Sequence, residues 1–121
     1  MSTSAQRKQQ TILIVDDSPA DLSVLALALQ SQGFDVAVAH DGDDALSRAR
    51  LLKPDLILLD AAMPGMDGFE ACRRLKSIEQ LRDIPVIFMT AASCNSGAGG
   101  ADNGARTAGF EAGAVDYVTK P

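Results

Sequence analysis

Four short apolar runs in this chain of 121 residues each end in a polar side chain that can do chemistry. ILIV leads into Asp16 and Asp17, LILL into Asp60, VIFM into Thr90, and YVT into Lys120. If the four ends meet, they assemble three carboxylates, one hydroxyl and one ammonium. Crowded carboxylates repel one another, and a hard cation with oxygen ligands relieves the strain. Mg²⁺ suits such a set, because it keeps several waters and uses only a few carboxylates. A carboxylate can also act as a nucleophile towards phosphorus, while a metal ion and a lysine spread the charge of the transferring group. Taken singly, each residue has an ordinary use. The acidic pair can cap the next helix, Asp60 can be turn chemistry, Thr90 suits a strand, and a lysine is usually solvated.

The elements that must bring these residues together follow from the apolar pattern. Thr11–Val15 reads as a strand, and Ser18-Pro19 opens a helix with Ser18 as N-cap. Leu22, Leu25 and Leu29 form its apolar stripe, and Gly33 stops it. Residues 34–39 alternate as a second strand, and residues 43–52 form a helix that Pro54 ends. Residues 55–59 are a nearly continuous apolar strand, as expected at the centre of a sheet. Asp67 and Glu70 form a capping-box pair, opening a helix with Phe69, Cys72, Leu75 and Ile78 inward. Residues 85–89 and 114–118 complete the strands. Strands alternating with helices predict an α/β fold with a parallel sheet covered on both faces. Ligands of such a sheet sit at the carboxyl ends of its strands, the edge where the four polar ends fall.

Composition excludes several classes. A net charge of −5 with no Lys/Arg block argues against nucleic-acid binding by this domain itself or an anionic membrane surface. No apolar run is long enough for a membrane span, and residues 1–10 read as a disordered polar lead-in, not a signal peptide. Together these predict a cytoplasmic protein with one domain over residues 11–121. Cys72 and Cys94 lack metal-ligand spacing and read as reduced thiols. His40 ends the second strand and is assigned no role. Residues 93–105 hold four glycines among thirteen residues and read as a flexible insertion.

The VDD acidic pair, DAAMPGMDG over residues 60–68, the threonine after the fourth strand and GAVDYVTKP over residues 113–121 together resemble the response-regulator receiver family of two-component signalling. The resemblance implies a flavodoxin-like doubly wound five-stranded sheet in the order 2-1-3-4-5. It implies a phosphorylation-dependent switch that accepts a phosphoryl group from a histidine kinase or phosphotransfer protein. Such a domain is not an enzyme beyond its own Asp phosphorylation and dephosphorylation. Asp60 matches the phosphoacceptor, Thr90 the switch hydroxyl, Lys120 the phosphoryl-pairing lysine and Tyr117 the aromatic switch. Asp16, Asp17, Asp60 and the backbone carbonyl of Ala62 match the Mg²⁺ site, with Mn²⁺ able to substitute.

Two departures bear on signalling. Thr90 and Lys120 stand 30 residues apart, more than the family needs, and the sequence stops at Pro121, where the family continues into a fifth helix. The face lacking that helix is expected to be apolar and to favour a homodimer. A pseudo-receiver is disfavoured by the full set of polar site residues. A stand-alone aspartyl phosphatase is disfavoured by Ala62, where such an enzyme has a second acid.

Overall fold

The computed structural model describes residues 10–63, 65–90 and 116–119. Five strands, β1 (Thr11–Val15), β2 (Asp35–Ala39), β3 (Leu56–Asp60), β4 (Val86–Thr90) and β5 (Asp116–Thr119), form one sheet in the order β2-β1-β3-β4-β5. Every neighbouring pair is parallel. Three helices are described: α1 (Pro19–Gln30), α2 (Gly42–Leu52) and α3 (Gly68–Ser77). The apolar run expected to be central, β3, is the middle strand.

The alternation along β1 builds two cores. Leu13 and Val15 join Ala45 and Ala49 of α2 and Ala71, Cys72 and Leu75 of α3 on one face, with Ile57, Leu59 and Phe88. Ile12 and Ile14 face the other way, onto Leu22 of α1 and Met89, with Leu25 and Leu29 packed alongside. Helices therefore cover both faces, as a parallel sheet requires.

Helix starts follow the sequence closely. The Ser18 hydroxyl accepts from the Asp21 amide at 3.3 Å, with Pro19 opening α1. Asp41 caps α2 by accepting from the Asp44 amide at 2.8 Å, and Asp67 caps α3 by accepting from Glu70 at 2.9 Å. The expected capping box is half made. The Glu70 carboxylate turns to Arg73 and Arg74 at 3.1 and 2.9 Å, and these hydrogen bonds, Arg74's first, hold it below its ordinary carboxylate pKa. Two charge-assisted bonds within one helix outweigh a single bond back to the cap.

Helix ends differ more. Helix α1 stops at Gln30, and Gly33 takes the positive φ of 97° two residues after its C-cap, Ser31. Helix α2 ends at Leu52, and its C-cap Lys53 takes a left-handed φ of 47° although it carries a Cβ. Pro54 follows, so the helix cannot continue. The left-handed conformation costs a non-glycine residue roughly 1–2 kcal/mol, of which glycine's extra unfolded-state freedom offsets about 0.5–1. Lys53→Gly is therefore expected to stabilise the fold by roughly 0.5–1 kcal/mol. A higher urea midpoint at unchanged denaturant slope would register the gain, and a lower midpoint would contradict it.

Cys72 is fully buried and in no disulfide among the described residues, and burial pushes its thiol pKa up to about 11. The thiolate is the reactive form and the sulfur is shielded, so at pH 8 native Cys72 should alkylate at least about two orders of magnitude more slowly than in the unfolded chain. A Cys94→Ser background isolates the measurement. Equal rates in the two states would contradict this packing. Cys94, the glycine-rich segment 93–105, residues 1–9 of the 1–10 lead-in, Lys120 and Pro121 all lie outside the described residues.

Among the described residues no helix is long and apolar enough to cross a membrane. Val24 and Leu27 of α1 are 55% and 68% exposed and Val118 of β5 is 42% exposed.

Candidate functional site

Sheet register alone sets the first two acids side by side. Val15 of β1 lies opposite Leu59 of β3, so Asp16 and Asp60, one residue on, stand abreast at the carboxyl edge. Adjacent strands run about 4.8 Å apart, close enough for their side chains to share a ligand. Asp16 stays in the ladder beyond β1, its amide donating to the Ala39 carbonyl at 3.1 Å. Asp60 is itself the last residue of β3, opposite Met89, and the Ala61 amide donates to the Met89 carbonyl at 3.0 Å.

Both buried acids are anchored by the same local device. Asp16 Oδ1 accepts from the Ser18 amide at 3.0 Å, and Asp60 Oδ1 accepts from the Ala62 amide at 3.1 Å. These Asx turns reverse the chain just past each strand and hold each carboxylate at the sheet edge. Asp16 is fully buried and Asp60 is 3% exposed, while Asp17 is exposed. One carboxylate oxygen from each of Asp16, Asp17 and Asp60 lies within 4.8 Å of the other two. Hard oxygen donors from two buried acids and one solvent-facing acid fit a divalent cation that keeps part of its water shell.

The remaining expected residues are placed only in part. Thr90 ends β4 opposite Thr119 of β5, and Tyr117 lies in β5 opposite Phe88. Ala62 is exposed beside Asp60, as the last partner of its Asx turn. Lys120 follows β5 in sequence but lies outside the described residues, as does its peptide bond to Pro121.

Sequence reasoning gave no role to the contacts that seat the segment after β3. Gly65 takes a positive φ of 77° in its turn, and the Gly68 amide donates to the Ala61 carbonyl at 3.2 Å. Met66 packs against Gly42 at the start of α2. A glycine immediately after an N-cap aspartate, where alanine is the better helix former, is the one sequence hint of such close packing.

The response regulator receiver domain family matches residues 12–121. Response regulator PleD of Caulobacter vibrioides is 44% identical over 110 residues, covering 91% of this chain and 22% of that protein. The DNA-binding response regulator MtrA of Mycolicibacterium smegmatis is 41% identical over 113 residues, covering 93% of this chain and 45% of that one. The chain thus spans less than half the length of these relatives. Among solved structures, the receiver domain of a sensor histidine kinase from Pseudomonas aeruginosa PAO1 superposes with a TM-score of 0.78 at 33% identity. The match covers 94% of this chain and 87% of that one, which holds a magnesium ion coordinated in its active site cleft. The parallel sheet, the acidic edge and these similarities agree: this chain belongs to the response regulator receiver domain family.

Proposed function

We propose that Asp60 is the phosphoacceptor of a Mg²⁺-dependent signalling switch, supplied by a sensor histidine kinase or a histidine phosphotransfer protein. One observation carries this reading: Asp60 is the buried, strand-terminal member of a three-carboxylate group whose oxygens lie within 4.8 Å. In the reaction, an Asp60 carboxylate oxygen attacks phosphorus as the donor's P–N bond breaks, the electron pair leaving with the imidazole, which is neutral once protonated. With a small acyl phosphate the bond broken is P–O.

Asp16, Asp17, Asp60 and the Ala62 carbonyl would hold the cation, and the family resemblance supports that set. Bound Mg²⁺ supplies positive charge that offsets the crowded carboxylates and the incoming phosphoryl oxygens. Mn²⁺, which accepts the same oxygen donors, is expected to substitute. The Asx turn holds the Asp60 side chain in place, so little orientation is left to achieve when the donor arrives. Thr90 would move its hydroxyl to the phosphoryl group and Lys120 would pair with it. Tyr117 would turn inward as the output face changes.

The domain's own chemistry is then confined to gaining and losing one phosphoryl group at Asp60. Peptide mapping after treatment with acetyl phosphate and Mg²⁺ tests the assignment. The label is expected within residues 51–73, on Asp60. A label on Asp16 or Asp17 would overturn it.

A further inference from the structure

We propose that Gly68 is a positioning residue for Asp60, because only a residue without a side chain lets α3 seat its first turn on the Asp60–Ala61 backbone. The inference rests on the Asp60 reading above and names what fixes that carboxylate in space. A Cβ built at Gly68 would collide with the Asp60 carbonyl oxygen, and would lie 2.9 Å from both the Asp60 carbonyl carbon and Ala61 Cα. All three atoms are backbone, so no side chain can swing aside. The Gly68 amide meanwhile donates to the Ala61 carbonyl at 3.2 Å, tying the same turn down. The Ala62 amide, in the same peptide group as that Ala61 carbonyl, holds Asp60 Oδ1 at 3.1 Å. Pushing α3 away must therefore displace the segment that aims the carboxylate.

The molecule carries its own control. Gly42 stands in the same local setting, as the buried first residue of a helix capped by an aspartate, Asp41 for α2 and Asp67 for α3. The three atoms nearest a Cβ at Gly42 would all belong to the Met66 side chain, with Sδ at 2.5 Å, Cγ at 3.0 Å and Cβ at 3.1 Å. These are all side-chain atoms of a flexible methionine, so they can repack while the Met66 backbone stays seated in the segment after β3. Residue type, helix position and capping side chain are thus the same, and the two glycines differ in what they face.

The test compares Gly68→Ala, Gly42→Ala and Asp67→Ala in the full chain, at a temperature where circular dichroism shows each folded. Mg²⁺ affinity is read by calorimetry, and the Asp60 and Ala62 amide signals by NMR without metal. Gly68→Ala is expected to weaken Mg²⁺ binding about 10- to 100-fold, the range for residues that orient metal ligands, and to move both amide signals. Gly42→Ala and Asp67→Ala should stay within a factor of roughly three. Should Gly68→Ala be too unstable to titrate, the Lys53→Gly background supports the comparison. Wild-type affinity and unmoved amides in Gly68→Ala would overturn the proposal. So would an equal loss in Asp67→Ala, which loosens α3 without any collision. Both readouts need no phosphodonor. A wild-type chain that binds Mg²⁺ but takes no phosphoryl group would therefore end the acceptor reading and leave this comparison standing.

Discussion

Asp60→Asn is expected to abolish the phosphoryl adduct while making the metal-free domain more stable. The two effects have separate causes. The amide is not a competent nucleophile towards phosphorus, so acceptance at this position ends. The same substitution removes one of three carboxylates gathered within 4.8 Å. Unit charges 4 Å apart repel by about 4 kcal/mol at an effective dielectric constant of 20, and the exposure of Asp17 and added salt reduce this. A gain of about 1–2 kcal/mol in low-salt, Mg²⁺-free buffer is the expected remainder. Asn keeps the Oδ1 acceptor that the Ala62 amide uses at 3.1 Å, so the Asx turn survives. Millimolar Mg²⁺ should stabilise the wild type and not the variant, closing the gap by binding linkage. Urea melts with and without Mg²⁺ check this. A variant less stable than wild type without metal would contradict the crowding of charge.

The largest expected loss of stability belongs to Phe88→Ala. Phe88 is fully buried in β4, opposite Leu59 and Tyr117, and its ring lies 4.9 Å from that of Phe69 at 54°. Deleting a buried phenylalanine side chain costs about 3–5 kcal/mol in transfer and cavity terms. A whole domain has only about 5–15 kcal/mol in hand. The variant should be marginal at 25 °C, and its site should degrade with it, since Asp60 and Met89 pair one step further along the same ladder. Equilibrium unfolding by circular dichroism measures the change. A loss below about 1 kcal/mol would mean that this face of the sheet is not packed as described.

Much of this was legible in the residues, and the limits have physical causes. The five described strands and three described helices follow from apolar periodicity and from helix-start residues such as Ser18, Pro19 and Asp67. The strand order did not follow from them; it came with the family resemblance, because local patterns carry no record of which strands pair. Strand ends also shifted. The apolar runs stop at Leu59 and Met89, yet the ladder takes in Asp60 and Thr90. Backbone pairing is indifferent to side-chain polarity, so Asp60 and Thr90 are part of the sheet and inherit its rigidity.

The acid group was readable for a similar reason. Register places Asp16 and Asp60 abreast once the strands are parallel neighbours, and no distant loop has to be folded correctly first. Gly68 was not readable in the same way. Its role depends on how α3 meets the Asp60 carbonyl, a tertiary contact that leaves only a glycine behind. The left-handed Lys53 is the converse case. Pro54 signals that α2 must end, but the residue type at 53 gives no sign of a positive φ.

The proposed switch depends on acceptance of a phosphoryl group by Asp60 at this acidic edge. Intact-mass analysis of the wild-type chain after incubation with acetyl phosphate, with and without Mg²⁺, tests it most directly. A single phosphoryl increment that requires Mg²⁺ and is lost in Asp60→Asn is the predicted result. An increment that persists in Asp60→Asn, or none in the Mg²⁺-loaded wild type, would contradict it.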